Sequence, residues 1–271
     1  MESIITDKKR RKVIGVKKQT IAMLRDLILT GKLTEDEIAG LENDSRKGVQ
    51  KLLRSYRQMQ KQQKHLKEKY EEMLYFEREL YQGGCEYIAG IDEAGRGPLA
   101  GPVVAAAVIL PRDSHLEGLN DSKLLTEAQR NMFFEKIKEV AICYSIAIID
   151  SDVIDDINIY EATKSAMRQA IHTLDVSPDH VLVDAVELDG LTHPTSAIIK
   201  GDSRSISIAA ASVLAKVTRD GIMAELHAET PEYDFLSNKG YGTKHHLQTL
   251  REKGVTIHHR KTFAPVRDCL L

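Results

Sequence analysis

Two short apolar runs, separated by a glycine- and proline-rich loop, constrain the fold of this chain more than any other feature. Residues 87–91 and 103–110 have the length and the β-branched content of strands. The loop begins with the adjacent acids Asp92 and Glu93. Because neighbouring side chains of a strand point to opposite faces, both acids can reach one site only if the strand ends at Asp92. The alternative is a polar strand end followed by an ordinary turn, which the long glycine-rich loop disfavours.

Strand and helix patterns alternate after this segment, which is typical of an α/β domain. Further strands are predicted at 142–149, 181–183 and 197–199, and helices at 154–174, 206–226 and 247–253. The alanine-rich face of the 206–226 helix is narrow enough to lie close to a sheet. Ligands of such folds gather at the carboxyl ends of strands, where Asp92 and Asp184 stand.

The amino-acid composition changes near Gly83. The segment before it contains no proline and is rich in Lys, Gln, Glu and Leu. Its pattern predicts a helix ending near Gly31, a capping box at 34–37 that opens a short helix, and a long helix over about 45–80. We therefore expect a helical N-terminal extension, residues 1–82, followed by an α/β domain, residues 83–271.

Charge is distributed unevenly between these parts. Residues 1–80 hold 19 Lys+Arg and 13 Asp+Glu, a net of +6, which leaves 38 − 19 = 19 basic and 40 − 13 = 27 acidic residues, a net of −8, for the rest. A basic arm joined to an acidic body fits contact with phosphate by the arm and cation binding by the body. A solvated helical arm that simply carries many lysines explains the same numbers equally well.

Composition also excludes several classes of protein. With 42% hydrophobic and 29% charged residues, a packed core is expected and wholesale disorder is not. No apolar run of about 18 residues is present, and no apolar segment follows the basic start, so neither a membrane span nor a secretory signal is expected. The cysteines, Cys85, Cys143 and Cys269, form no CxxC pair, which predicts reduced thiols in a cytoplasmic protein.

Acidic residues are the best candidates for chemistry. Asp184 follows the apolar 181–183 run, and Asp202 precedes the 206–226 helix, where it could alternatively cap the helix. Carboxylates that converge without a cation repel one another, so a divalent metal is expected where they meet. Oxygen ligands favour Mg²⁺ or Mn²⁺ over Zn²⁺. The histidine pairs 245–246 and 258–259 form no obvious chelate, because adjacent side chains diverge, and we expect them on the surface or facing nucleic acid.

Several motifs in series resemble the ribonuclease HII family. The segment DEAGRGPLAGPVVAAAVIL at 92–110 resembles the family's opening motif, and the resemblance spans roughly residues 85–265. It continues in LNDSK at 119–123, VDA at 183–185, KGD at 200–202, AASVLAKVTRD at 210–220 and GYGT at 240–243. The sister family, ribonuclease HIII, usually has lysine and aspartate in the glycine loop, where this chain has Gly95-Arg96-Gly97-Pro98.

The resemblance implies a ribonuclease H-like fold: a mixed five-stranded sheet with flanking helices, a helical C-terminal part and, here, an N-terminal helical extension. It implies a catalytic and metal-binding quartet, Asp92, Glu93, Asp184 and Asp202, and Mg²⁺ or Mn²⁺, with two ions in the substrate complex. Asp92 is expected to bridge both ions. Asp202 would help to hold the ion that activates water, and Glu93 and Asp184 the ion at the leaving oxygen.

Discrimination between ribose and deoxyribose depends on the 2′-OH, the only group that differs in the sugar. The resemblance implies that Gly95, Arg96 and Gly97, together with Tyr241, read this group. Ser122 and Lys123 are expected to contact phosphate. Without the family context, a tyrosine that stabilises a glycine-rich turn would be preferred for Tyr241. Lys200, Lys216 and Arg219 are interpreted equally well as surface or structural charges, and Asp220 as an anchor for arginine or backbone.

The implied function is that of a metal-dependent endonuclease for the RNA strand of RNA/DNA hybrids. It would also nick duplex DNA on the 5′ side of embedded ribonucleotides, leaving a 5′-phosphate and a 3′-hydroxyl, as ribonucleotide excision repair requires. The expected partners are these duplexes and no membrane, and we expect a monomer. A hybrid-binding protein without activity is disfavoured by the complete quartet. A junction resolvase of the same fold is disfavoured because it needs no 2′-OH reader.

Overall fold

Three helices form the N-terminal unit in the computed structural model, which describes residues 19–270. They are α1 (Ile21–Leu29), α2 (Glu35–Gly40) and α3 (Lys47–Met73), and the compact N-terminal unit ends at Glu68. The predicted capping box is confirmed, since the Thr34 side chain and the Glu37 side chain each bond the other's backbone N–H. The apolar core of this unit consists of Leu24, Ile28, Ile38, Leu41, Val49 and Leu53.

A five-stranded mixed sheet forms the centre of the second unit, which starts at Lys69. The strands are β1 (Ile88–Ala94), β2 (Val103–Ile109), β3 (Cys143–Ile149), β4 (His180–Asp184) and β5 (Thr195–Ile198), in the order β3-β2-β1-β4-β5. The β1–β2 and β2–β3 pairs are antiparallel, whereas β1–β4 and β4–β5 are parallel. The predicted ribonuclease H-like sheet is therefore confirmed.

Helices cover both faces of this sheet. The helices of this unit are α4 (Tyr75–Gln82), α5 (Glu127–Val140), α6 (Ser151–Ile157), α7 (Ile159–His172), α8 (Ile206–Glu229), α9 (Phe235–Asn238), α10 (Lys244–Lys253) and α11 (Ala264–Arg267). Of these, α4, α5, α7 and α8 pack against the sheet. Alternate residues of the wholly buried strand β2 face opposite layers. Positions 104, 106 and 108 pack with α5 and α8, while 105, 107 and 109 pack with α7. Burial on both faces explains why β2 is a continuous apolar run.

Helix α8 lies directly against β1, as its alanine-rich face predicts. A Cβ atom added at Gly90 would lie 2.1 Å from the carbonyl carbon of Ser207, so only a glycine fits there. Ala209, Ala210 and Ala211 of α8 are fully buried. The close approach fixes the N-terminal half of α8 relative to the strand that carries Asp92.

Three helix predictions differ from the structure. The predicted 154–174 helix is two helices, α6 and α7, because Asn158 has a φ of 68° and its side chain caps α7. The predicted 45–80 helix is likewise interrupted, at Leu74 between α3 and α4. Helix α5 was not predicted, because only Phe133 and Ile137 of its 14 residues are buried and the apolar period is weak.

The cysteine thiols at Cys85, Cys143 and Cys269 are free. None of the helices in residues 19–270 has the length and apolar character needed to cross a membrane.

Substitution of Gly90 by alanine should destabilise the protein by about 1–3 kcal/mol or more, because the new methyl group overlaps the α8 backbone. Gly221, on the exposed side of α8, has no atom within 4 Å of the corresponding position. Gly221→Ala is the matched control and should be neutral or stabilising by up to about 1 kcal/mol. Urea unfolding followed by circular dichroism measures both, and equal stability of the two variants would contradict the packing described.

Candidate active site

Three aspartates from different parts of the chain meet at one edge of the sheet. Asp92 lies on β1, Asp184 is the last residue of β4, and Asp202 lies in a 3₁₀ turn, Gly201–Ser203, before α8. One carboxylate oxygen from each residue lies within 4.8 Å of the others. Asp92 and Asp202 are only 4% and 6% exposed, so their charges are largely withdrawn from water.

The register of the parallel pair β1–β4 places the first two aspartates side by side. Pairing ends at Ile91 and Val183, and the next residue on each strand is an aspartate. Beyond β4 the chain turns sharply at Ala185, whose φ of 48° is rare for a residue with a Cβ atom. The two carboxylates therefore lie together at the carboxyl ends of parallel strands, as the sequence predicts.

Asp202 is held against Asp184 by the intervening backbone. The N–H of Gly201 donates a 2.6 Å hydrogen bond to Oδ1 of Asp184. A Cβ atom at Gly201 would lie 2.5 Å from Cδ1 of Ile208 and 3.3 Å from Oδ1 of Asp184, so a larger residue would require the Ile208 side chain to shift. The alternative role of Asp202 as a helix cap is excluded, because the side chain of Ser205 caps α8 by accepting a bond from the N–H of Ile208.

The surroundings of Asp92 and Asp184 oppose ionisation of these two acids. Burial, followed by the charges of Glu93 and Asp184, raises the pKa of Asp92 well above its ordinary value. Burial also raises the pKa of Asp184, against the Gly201 hydrogen bond. Burial alone lowers the pKa of Lys123, but the nearby aspartates outweigh it and the pKa is raised. The Lys123 Nζ lies 3.4 Å from Oδ2 of Asp202 and brings a cation to the edge of the group.

Glu93 lies beside this group without being one of its members. The prediction that the strand ends at Asp92 is wrong, because Glu93 and Ala94 continue the antiparallel pairing with β2. Oε1 of Glu93 lies 3.2 Å from Nη1 of Arg96. Its Oε2 is buried and has no hydrogen-bond partner among residues 19–270. Such an orphaned carboxylate oxygen fits a ligand position for a cation.

Ser212 was not singled out from the sequence. Ser212 lowers the pKa of Asp92, against the larger effect of burial. The Ser122 hydroxyl lies 2.9 Å from the Ser212 hydroxyl, and both side chains are buried. Ser122 therefore reaches the site through Ser212, and its expected contact with phosphate stays a prediction. The position of Ser212 inside the 210–220 motif was the only available signal.

A cavity of about 250 Å³ opens beside the carboxylates. Its walls include all six residues expected to bind substrate: Gly95, Arg96, Gly97, Ser122, Lys123 and Tyr241. The glycine loop and the tyrosine face each other, since a Cβ atom at Gly97 would lie 3.4 Å from Cε1 of Tyr241. Tyr241 is 51% exposed, so its ring is available to a ligand. The geometry of the cavity suits a sugar held between the loop backbone and an aromatic ring.

Other residues near the cavity are structural. Arg219 is buried, and its guanidinium donates to the carbonyls of Pro102, Lys239 and Ala100, so it is no surface charge. Lys216 forms an ion pair of 2.7 Å with Asp220, so the partner of that acid is a lysine and not the arginine or backbone that was expected.

The expectation that the four histidines lie on the surface is wrong for His246 and His259. Both rings are buried, and burial lowers the pKa of His259 to about 3.

Comparison with protein families agrees with the motifs. A family model described as Ribonuclease HII matches residues 89–266, and one described as Ribonuclease HII N-terminal domain matches residues 20–81. The chain belongs to the ribonuclease HII family. Membership of this family confirms the expected enzyme class, an endonuclease of the ribonuclease H type. The two matches divide the chain between residues 81 and 89 whereas the compact units divide at Glu68, so a domain boundary after residue 82 stays a prediction.

Relatives within the ribonuclease HII family cover almost the whole chain. A ribonuclease HII from Oceanobacillus iheyensis is 55% identical over 251 residues, which are 93% of this chain and 96% of the relative. The crystal structure of ribonuclease H2 from Pyrococcus horikoshii OT3 aligns with a TM-score of 0.61 at 25% identity, covering 68% of this chain and 97% of that one. Ribonuclease HII in a PCNA complex from Archaeoglobus fulgidus aligns with a TM-score of 0.55 at 25% identity, covering 66% and 95%.

Asp92→Asn should make the metal-free ribonuclease HII fold more stable. A raised pKa means that the folded state opposes ionisation, so the free energy of unfolding falls as the pH rises above the unfolded pKa of Asp92. The asparagine side chain carries no charge. The melting temperature of Asp92→Asn in EDTA at pH 7 should therefore rise by about 2–4 °C for each 1 kcal/mol by which the ionised Asp92 destabilises the wild type. Asp268→Asn, at an exposed carboxylate, is the matched control.

With added Mg²⁺, the melting temperature of the wild type should exceed that of Asp92→Asn. The ion should raise the melting temperature of the wild type and raise that of Asp92→Asn less, because a ligand is lost. A lower melting temperature for the variant in EDTA would contradict the electrostatic interpretation of the site.

Proposed function

We propose that this chain is a metal-dependent endonuclease that cleaves the RNA strand of RNA/DNA hybrids and nicks DNA duplexes 5′ of embedded ribonucleotides. The products are a 5′-phosphate and a 3′-hydroxyl. The observation that supports this proposal is the position of the aspartates, Asp92, Asp184 and Asp202, next to a cavity lined by the glycine loop and Tyr241. A phosphodiester-cleaving site thus adjoins a site suited to the adjacent sugar. We further propose that the protein acts as a monomer in the cytoplasm.

The donor set fits divalent cations that prefer oxygen, Mg²⁺ or Mn²⁺, and two ions are proposed for the substrate complex. Asp92, Asp184 and Asp202 would hold them, and the unpartnered Oε2 of Glu93 offers a further ligand. When bound, such ions supply Lewis acidity for the attacking and leaving oxygens. The raised pKa values of Asp92 and Asp184 reflect burial first and neighbouring acidic charges second, and a bound cation would favour their ionised forms.

The protein's own residues would align the scissile phosphate and check its sugar. The backbone of Gly95, Arg96 and Gly97 is proposed to bond the 2′-OH, while the Tyr241 ring packs on the ribose. Lys123 is 74% exposed at its side chain, so its Nζ can leave Asp202 for a phosphate oxygen. Ser122 is proposed to assist through Ser212, which it bonds. A deoxyribose has no 2′-OH, so the loop would not form these hydrogen bonds with it.

A labelled DNA duplex with one embedded ribonucleotide tests the proposal directly. In Mg²⁺ or Mn²⁺ the protein should produce one nick on the 5′ side of the ribonucleotide and leave an all-DNA duplex intact. Asp92→Asn and Asp202→Asn should each lower the rate by more than the roughly 10- to 100-fold that loss of an outer partner of a metal site causes. Electrophoresis against size standards measures position and rate together.

Asp268→Asn serves as the matched acidic control and should retain the wild-type rate. Tight binding of the duplex without a nick in either metal would reject the proposal. That result would favour a binding protein that keeps the fold without catalysis.

We also propose that the N-terminal unit contributes affinity for phosphate that is independent of sequence. Helix α3 presents exposed lysines, among them Lys51, Lys61 and Lys67, and the first 80 residues have a net charge of +6. Exposed lysines on a helix are available to the backbone of a duplex, and each phosphate contact releases counterions. The proposal favours the basic-arm interpretation over a merely solvated arm.

Replacement of Lys51, Lys61 and Lys67 by glutamine should weaken duplex binding and make its salt dependence shallower. The slope of log K against log salt should change by up to about 2.7, since each phosphate contact contributes about 0.9. Alanine at the exposed, neutral Gln62 and Gln63 of the same helix is the control and should alter neither quantity. Fluorescence anisotropy over a salt series measures both, and an unchanged slope in the triple variant would reject the proposal.

A further inference from the structure

Arg260 is fully buried. Within residues 19–270, the hydrogen bonds that its guanidinium donates all go to main-chain carbonyls of the glycine loop. Its Nη2 donates to Gly95 at 2.6 Å and its Nη1 donates to Arg96 at 3.0 Å. Further bonds go to Pro98 and Gly101. Burial, then the charge of Arg219, lowers the pKa of Arg260 to about 9, so the side chain stays a cation at neutral pH.

These bonds fix the direction of the groups that face the ligand. A peptide unit is planar, so a carbonyl held on one side fixes the direction of the following N–H on the other. The carbonyls of Gly95 and Arg96 precede the N–H groups of Arg96 and Gly97. These N–H groups belong to the segment proposed to bond the 2′-OH. Arg260 thus sets their direction from behind the loop, without reaching the cavity itself.

His259, the preceding residue, is connected to Tyr241 by a chain of hydrogen bonds. Its Nδ1 accepts from the N–H of Thr256, so its Nε2 carries the proton and donates to Nε2 of His246 at 3.0 Å. The other nitrogen of His246, Nδ1, then donates to the carbonyl of Tyr241 at 2.9 Å. The partners at both ends therefore fix the tautomer of each ring.

The surroundings hold this chain of bonds in place. The rings of Tyr233 and Phe235 enclose the two imidazoles, with centroid distances of 4.9 to 6.0 Å. The Tyr241 main chain is fixed further, since its carbonyl also accepts from Thr243 and its N–H donates to Asn238. The direction of the Tyr241 backbone is thus determined while its ring stays exposed.

The main chain around His259 and Arg260 joins the same loop. The N–H of Arg260 donates to Leu99, and the N–H of Gly101 donates to the carbonyl of His258, both at 2.8 Å. An isolated β-bridge pairs Ala100 with His259. A single dipeptide from the C-terminal segment thus contacts the glycine loop directly and is connected to Tyr241 through His246.

We propose that His259 and Arg260 are positioning residues for ribose recognition: Arg260 orients the N–H groups of the glycine loop, and His259 orients Tyr241 through His246. This inference rests on the proposed function, because it assigns the two elements a ligand. Neither residue touches substrate. A role confined to stability would lower the melting temperature without changing the preference for ribose over deoxyribose.

The test measures that preference in an Asp92→Asn background, in which the duplex stays intact. Dissociation constants are compared for two duplexes that differ only in one ribose or deoxyribose. Arg260→Lys keeps the charge but lacks the planar fork that reaches several carbonyls. His259→Asn keeps an acceptor near Nδ1 for Thr256 and loses the donor to His246. Each variant should bring the ratio of the two constants towards one, while affinity for the all-DNA duplex is retained.

With Asp92 restored, Arg260→Lys should lower kcat/KM on the ribonucleotide duplex by about 10²-fold, the effect of a misplacement of roughly 1 Å. Ser145→Ala is the matched control. It removes a buried hydrogen bond to the carbonyl of Ala170 in helix α7. The ratio of its two dissociation constants should equal that of the parent. Circular dichroism at the assay temperature establishes that each variant is folded.

A double-mutant cycle tests the route through Tyr241. If His259 acts through the ring of that residue, His259→Asn should add little to the effect of Tyr241→Ala, which removes the ring, and additive losses would overturn this part of the proposal. An unchanged ratio in folded Arg260→Lys would overturn the part that concerns the loop. If Arg260→Lys does not fold, His259→Asn decides the proposal by the same ratio. A parent without any preference for ribose would reject the proposed function, and the inference with it.

Discussion

The contact between helix α8 and strand β1 at Gly90 is the constraint on which the candidate site depends. Asp92 lies two residues beyond Gly90 on the strand, and Asp202 lies four residues before the first residue of the helix. Ser212, which lowers the pKa of Asp92, lies five residues further along the same helix from the contact at Ser207. Because backbone meets backbone at Gly90, no flexible side chain can absorb a shift there. The distance between Asp92 and Asp202 therefore depends on this contact, while the β1–β4 pairing places Asp184 beside Asp92.

The start of α8 is fixed a second time by Glu77 from α4. This buried carboxylate accepts a 2.6 Å bond from the hydroxyl of Ser205 and a 3.0 Å bond from the N–H of Ser207. Burial raises the pKa of Glu77, against these bonds. Residues just before Gly83 are thus part of the second unit's core, which the change of composition near Gly83 does not reveal. A buried group of repelling aspartates needs such a rigid frame, because the fold must hold them together before a cation arrives.

Recognition through the backbone places a different demand on the protein. Main-chain N–H groups in a loop have no side chain of their own to fix their direction, so their carbonyls must be held from behind. Arg219 from helix α8 and Arg260 from the C-terminal segment do this, since both donate to carbonyl oxygens of the same loop. A guanidinium offers five donors in a rigid plane, which suits several carbonyls at once. The buried arginines thereby find partners without a carboxylate.

The sequence by itself determined the fold class, the strand–loop–strand core and the identity of the aspartates. These features are local: an apolar run ends at an acid, a glycine-rich loop follows, and the motifs recur in the family's order. It did not reveal the continuation of β1 through Glu93, the break at Asn158, or the burial of His246 and His259. Only the tertiary structure decided these, along with the roles of Ser212 and Arg260. The reason is physical: Arg260 bonds Gly95, 165 residues away, and such a bond between distant segments leaves no periodicity in the sequence. The break at Asn158 is a change of backbone direction inside a continuous helical pattern.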